Sequence, residues 1–195
     1  MSNICAIILA AGESKRMNAP KLLLQFSGKT MIEMVTGNVL QAGIGFILVV
    51  LGSYRKEISA AIDHLPVKIC FNENFKDGML SSVKCGFENL PDDYDAVLVY
   101  PGDHPYIDPV VTEKVIASYM ASRKGLVVPV FNGKRGHPLL VSYRYRDIIN
   151  NIPGDEGLRW LAKTYPDDVL EVETSSQGIL KDFDTIEDYM TEINK

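Results

Sequence analysis

The sequence predicts an α/β fold of three layers, with a mostly parallel sheet between two layers of helices. Three observations point there. Short continuous apolar runs recur at 5–10, 46–51 and 96–100, and a run of that length without polar alternation reads as a strand buried on both faces. Segments with helical apolar spacing alternate with these runs. The stretches richest in chemistry, 9–21 and 101–103, lie at or just beyond the ends of apolar runs, where parallel sheets bind ligands. The chain has 195 residues, 46% of them hydrophobic. That suits one domain with a substantial core, so 1–195 is read as a single unit.

Each element follows from local pattern. Residues 5–10 form the first strand. A helix over 30–42 keeps Met31, Met34, Val35 and Val39 on one face, and Thr30 with Glu33 three residues on is a capping-box pattern. An apolar strand at 46–51 is followed by a helix at about 55–62, with Ser53 as its candidate cap, and a short strand at 67–71. Residues 80–88 read as a helix, 96–100 as a strand, and 109–122 as a helix with Pro109 in its first turn. Residues 126–131 and 137–142 read as strands around a glycine-containing turn, and 132–160 as a less regular substrate-side lobe. A helix at 154–164, short strands at 169–172 and 180–182, and a helix at 185–193 complete the chain.

Composition excludes several classes. The formal net charge is -5, from 20 Lys+Arg against 25 Asp+Glu. There is no long basic run, which argues against nucleic acid. The first apolar run is too short to span a bilayer and has no basic lead-in, so no membrane association is expected. Cys5, Cys70 and Cys85 are isolated in sequence and form no CxxC pair. An odd cysteine count without a secretory leader points to a reducing, cytoplasmic setting. GxGxxG, GxSxG and GxxxxGK[ST] are absent, which removes the simplest nicotinamide, hydrolase and Walker readings. His64 lies at a helix end with nothing to mark it, and Trp160 reads as packing beside Leu158 and Leu161.

The first chemical motif runs from Leu9 through Ala10, Ala11, Gly12, Ser14, Lys15 and Arg16 to Lys21. Small residues let backbone N–H groups approach phosphate oxygens, and the cations neutralise them. A nucleoside triphosphate site is one reading; an ordinary strand–loop turn with exposed basic residues is the other. The second motif is Pro101-Gly102-Asp103-His104-Pro105. A carboxylate held at a strand end can bind magnesium beside a triphosphate, or cap a turn. Ser81 and Ser82, near the start of a helix, can hydrogen-bond a base or cap that helix. Lys134, Arg135, His137, Asp155 and Arg159 fit equally a hairpin turn and a capped helix start, or a basic face for an anion.

The 9–21 loop resembles the LAAGxSxRMGxPK signature of the nucleotidyltransferases related to the molybdenum cofactor cytidylyl- and guanylyltransferases. Pro101–Asp103 resembles that family's PGDxP, with His104 where the cytidylyltransferase branch often has glutamine. Residues 78–83 resemble GMxxS(L/V), 136–138 GHP, 154–159 GDxGxR, and 182–188 the closing DIDTxED. The motifs follow in family order from residue 4 to about 190. The resemblance implies a Rossmann-like nucleotide-diphospho-sugar transferase (GT-A-like) architecture, with a nucleotide part at about 1–105 and an acceptor part at about 106–195.

It also implies roles. Arg16 and Lys21 would hold the triphosphate and stabilise departing pyrophosphate. Leu9, Ala10, Ala11, Gly12, Ser14, Lys15, Ser81, Ser82, Pro101 and Gly102 would bind the nucleotide. Asp103 and Asp184 would hold Mg2+ or Mn2+, with Asp182 orienting its loop, while Thr185 or Asp184 could cap the last helix. Lys134, Arg135, His137, Asp155 and Arg159 would face the acceptor. Ala11, in LAAG rather than the LAGG of the guanylyl branch, leans toward CTP together with Ser81 and Ser82. The implied reaction moves CMP from CTP to the terminal phosphate of a molybdopterin cofactor, with a molybdenum hydroxylase as possible recipient. Alternatives are a guanylyltransferase, a sugar- or polyol-phosphate nucleotidyltransferase, a glycosyltransferase using Asp182-Phe183-Asp184 as a DxD pair, and a non-catalytic cofactor carrier.

Overall fold

The computed structural model describes residues 3–17, 19–154 and 156–193. In chain order, β1 (Ile4–Ala10) is followed by a small hairpin, β2 (Gln25–Phe26) and β3 (Lys29–Thr30), and by α1 (Met31–Gln41). Then come β4 (Ile47–Leu51), α2 (Arg55–Ile62), β5 (Lys68–Phe71), α3 (Met79–Glu88), β6 (Ala96–Pro101) and α4 (Pro109–Ser122). The remainder is β7 (Leu126–Phe131), β8 (Lys134–Arg135), β9 (Leu139–Ser142), α5 (Arg146–Asn150), α6 (Arg159–Thr164), β10 (Val169–Glu173) and α7 (Ile186–Ile193).

The main sheet runs β10-β7-β9-β6-β1-β4-β5, with β8 on β7. β1 pairs in parallel with β4 and β6, β4 with β5, and β10 with β7. β9 enters antiparallel between β6 and β7. β4 and β6 are buried along their whole length, as expected of apolar strands covered on both sides. One face packs against α1, α2 and α4, the other against α3, α5 and α6. The buried Tyr100 hydroxyl, 2.6 Å from Thr112 Oγ1, ties β6 to α4.

The functional consequence is register. Leu9 pairs with Pro101, and the Gly102 amide donates to the Leu9 carbonyl at 2.9 Å. The loops after β1 and β6 therefore leave the sheet side by side. α1 starts where its capping box requires, with the Thr30 side chain accepting from the Glu33 amide and Glu33 accepting from the Thr30 amide. α4 is capped by Asp108, whose side chain accepts from the Val110 amide.

Several expectations need correction. The segment 180–182 is not a strand: a 3-10 turn occupies Gln177–Leu180, and its apolar Ile179 fills the core without a partner strand. The helix expected from 154 begins at Arg159, because Gly157 takes φ +68°, which a helix cannot use. The strand expected from 137 starts at Leu139, after Pro138, which has no N–H to donate. Within 132–160, β9 joins the main sheet, and the sequence reading omitted α5. Ser53 does not cap α2; Tyr54 occupies that position in the left-handed region with no side-chain cap. Cys70 and Cys85, distant in sequence, bring their Sγ atoms to 3.9 Å. No described helix is long and apolar enough to cross a membrane.

Candidate active site

A cleft of about 420 Å3 opens beyond the carboxyl ends of β1 and β6. Its charged part is built from three chain regions. Lys21 Nζ donates to Asp103 Oδ2 at 2.6 Å and to Asp184 Oδ1 at 3.2 Å, and Arg16 Nη1 donates to Asp184 Oδ2 at 2.6 Å. Lys21 is held because Ser14, in the left-handed region at φ 50°, turns the loop and accepts from the Lys21 amide at 3.2 Å. Asp103 is carried by the turn after β6. Asp184 is free to reach the cleft because Thr185 and Asp188 form the reciprocal cap of α7, Thr185 donating to Asp188 Oδ2 and accepting from the Asp188 amide.

The electrostatics fix the charges. Burial works against the Lys21 ammonium, but the charges of Asp103 and Asp184 and the bonds to them outweigh it and raise its pKa. Burial would also neutralise Asp103. The bond from His104 and the charges of Lys21 and His104 overcome that and hold its carboxyl well below the usual range. His104 Nδ1 lies 3.0 Å from Asp103 Oδ1, so both oxygens of Asp103 are engaged.

The uncharged part of the cleft is walled by Ala11, Phe75, Gly78, Met79 and Ser82. Gly78, at φ +94° and ψ 178°, occupies backbone space open to glycine and leads directly into α3. A second, more apolar cavity of about 720 Å3 shares Leu9, Gly78, Met79 and Pro101 with the first. Arg135, His137, Arg159 and Lys163 are among its polar lining. The His137 ring lies 4.9 Å from that of His104, edge to face. Burial and the neighbouring His104, opposed by Asp103, push the His137 pKa down to about 4. Its Nδ1 is buried without a hydrogen-bond partner among the described residues.

Most of the residues singled out in the sequence meet here, though not all in the same manner. Leu9, Ala11, Gly12, Ser14, Lys15, Arg16, Lys21, Ser82, Pro101, Asp103 and Asp184 line the cleft. Ala10 turns its side chain into the core, and Gly102 is buried beneath the wall. Lys15 is exposed and paired with Glu13 at 2.8 Å. Ser81 points away: its hydroxyl lies 2.8 Å from the carbonyls of Asn74 and Gly78 and accepts from Asn72. Lys134 is exposed on β8, beside an Asn132-Gly133 hairpin turn in which both residues have positive φ. Arg135 reaches the second cavity but is paired with Glu171 at 2.7 Å, and Arg159 donates to the Glu156 carbonyl. Asp182 is exposed and outside the cleft lining, and Asp155 lies outside the described residues. Phe75 and Asn72 were not singled out; a lone aromatic in the polar run 72–78 leaves no periodic signal.

Among the described residues no three His, Cys, Asp or Glu side chains cluster as a ready-made metal site. The two carboxylates already converge on one cation, Lys21 Nζ. That donor set fits a hard divalent ion of the magnesium type, which takes one or two carboxylates and completes its shell with phosphate oxygens and water.

The sequence profile of the MobA-like NTP transferase domain matches residues 6–169. The chain belongs to this family. The chain is similar to the molybdenum cofactor cytidylyltransferase of Escherichia coli K12, 28% identical over 98% of this chain and 96% of that protein. The nicotine blue oxidoreductase of Paenarthrobacter nicotinovorans is 27% identical over 94% and 93%. Among solved structures, Rv0371c of Mycobacterium tuberculosis H37Rv is 22% identical and matches 100% of this chain and 99% of its own, with a TM-score of 0.86; its manganese complex matches at 0.81. The architecture is thus that of the Rossmann-like nucleotide-diphospho-sugar transferase fold, and the MobA-like domain makes the chain a nucleotidyltransferase.

Proposed function

We propose that this protein transfers CMP from CTP to the terminal phosphate of a molybdopterin cofactor and releases diphosphate. The observation that carries the reading is Lys21 Nζ held between Asp103 and Asp184, with Arg16 on the second carboxylate. A triphosphate entering the cleft meets two cations and two carboxylates at one point, as transfer chemistry without a covalent intermediate requires.

An oxygen of the acceptor phosphate attacks the α-phosphorus in line. The bond from that phosphorus to the bridging oxygen of the β-phosphate breaks, and pyrophosphate leaves with the electron pair. The nucleophile is already anionic near neutral pH, so no strong general base is needed. Lys21, kept protonated by its carboxylate neighbours, exchanges them for phosphate oxygens and neutralises the leaving group. Arg16, mostly exposed, does the same from the cleft mouth. Asp103 and Asp184 would hold Mg2+ or Mn2+, which supplies charge neutralisation on the phosphates. The manganese complex of the Rv0371c neighbour supports a divalent ion in this architecture.

The acceptor would occupy the second cavity. Its shared wall with the nucleotide cleft brings the two substrates together, and Arg135, Arg159 and Lys163 provide cations for an anionic group. The chain would act as one unit, since Asp184 completes a cleft otherwise built from residues 9–103. Ala11 in the loop and the cytidylyltransferase relative support CTP; a guanylyltransferase, or a sugar- or polyol-phosphate transferase, uses the same cleft with another base or acceptor. The cation–carboxylate set has no use in a pure cofactor carrier. A molybdenum hydroxylase is the kind of partner that would receive the product.

The experiment is pyrophosphate release from purified protein with magnesium and CTP, GTP or ATP, with and without molybdopterin. Release with CTP only when the cofactor is present supports the reading. Release dependent instead on a sugar or polyol phosphate would overturn the acceptor.

A further inference from the structure

The two parts of the nucleotide cleft differ in chemistry. Lys21, Arg16, Asp103 and Asp184 are bonded into one charged cluster. Ala11, Phe75, Gly78, Met79 and Ser82 form a contiguous uncharged wall. Phe75 is the aromatic side chain among these described wall residues, and contacts brace the turn that carries it. Beneath it lies Gly52: a Cβ there would sit 2.6 Å from Phe75 Cβ and 2.8 Å from the Ala11 carbonyl oxygen, so no larger residue fits without displacing the ring or the phosphate loop. Before the turn, the buried Asn72 accepts from the Asn74 amide at 2.9 Å and donates to the Ser81 hydroxyl at 2.8 Å. The Ser81 hydroxyl in turn meets the Asn74 and Gly78 carbonyls at 2.8 Å. These contacts flank the 3-10 turn Phe75–Asp77.

Phe75 belongs to neither hydrophobic core. This half-buried aromatic side chain, unused by the core, lines the cleft, with the Lys76 ammonium 6.0 Å from its ring centroid. We infer that the Phe75 ring is the surface on which the nucleobase packs, with Gly52, Asn72 and Ser81 positioning it. This rests on the cleft taking a nucleoside triphosphate. The charged cluster takes the phosphates, which leaves the uncharged wall for the base. Because every base has a π face, Phe75 supplies affinity rather than base choice. The Ser81 hydroxyl acts through the turn instead of touching the base.

The test is calorimetric titration of the full chain with magnesium–CTP, magnesium–GTP and inorganic tripolyphosphate, for wild type and for Phe75→Ala, Phe75→Leu and Phe75→Tyr. The expected result is a rise of about tenfold or more in the CTP and GTP Kd for the alanine variant. The leucine variant, which keeps apolar bulk, also weakens, the tyrosine variant stays near wild type, and tripolyphosphate binds all four alike. Equal CTP affinity across the variants overturns the inference, as does a parallel loss of tripolyphosphate binding, which would mean that the phosphate loop had moved. Wild-type protein that binds tripolyphosphate but no nucleotide overturns the reading of the cleft itself.

Discussion

Lys21 and Asp103 are 82 residues apart in the chain and 2.6 Å apart in the cleft. Each has a second partner: Lys21 also meets Asp184, and Asp103 also meets His104. The pairing follows from the parallel register of β1 and β6, which sends both loops off the same edge of the sheet. Opposite charges at that distance keep both side chains ionised and pre-aligned for a charged substrate.

The carboxylates should set the metal requirement. Replacing Asp184 by Asn removes one charge from the pair without changing its shape. The Mg2+ concentration for half-maximal turnover should rise by about tenfold or more, since even outer partners of metal ligands commonly contribute that much. A magnesium titration of pyrophosphate release reads this directly, and an unchanged midpoint would remove Asp184 from the metal site.

His137 should leave a mark on acid stability. Its pKa is pushed down to about 4 in the folded protein, against roughly 6.5 in an unfolded chain. Between those values the unfolded state binds the proton and the folded state does not, so stability rises with pH across that window and levels off above it. Urea unfolding at a series of pH values should show this slope, and a His137→Asn variant should lack it.

Gly52 should tolerate no side chain. In Gly52→Ala the new Cβ meets Phe75 Cβ and the Ala11 carbonyl, both closer than 3 Å, and backbone cannot swing aside. Overpacking of this kind costs about 1–3 kcal/mol, visible as a lower urea midpoint at unchanged slope. An unperturbed midpoint would mean that the Phe75 turn gives way freely.

The layered fold was legible because its central strands, 46–51 and 96–100, are unbroken apolar runs, and because Thr30-Glu33 and Pro109 mark helix starts by chemistry rather than by periodicity. Legibility failed where burial is not periodic. The segment 180–182 looks like a strand, but Leu180 ends the 3-10 turn Gln177–Leu180 and the segment pairs with no strand. Residues 154–158 carry a helix-start composition, yet Gly157 turns with positive φ. In the site, Lys21 and Asp103 follow from strand-end placement. Asp184 meets Arg16 across 168 residues, which no local pattern reports; only the order of motifs along the chain pointed to it. Ser81 fits either a base contact or a local cap in sequence; its hydroxyl meets the Asn74 and Gly78 carbonyls at the start of α3, the local reading.

The central claim is that the Lys21–Asp103–Asp184 set performs nucleotidyl transfer. Its most direct test is pyrophosphate release by Lys21→Ala at saturating CTP, magnesium and molybdopterin, with circular dichroism to show that the variant is folded. Losing one preorganised charge donor should lower turnover by about 10²–10³-fold while the variant stays folded. Near-wild-type turnover in a folded Lys21→Ala protein would contradict the account.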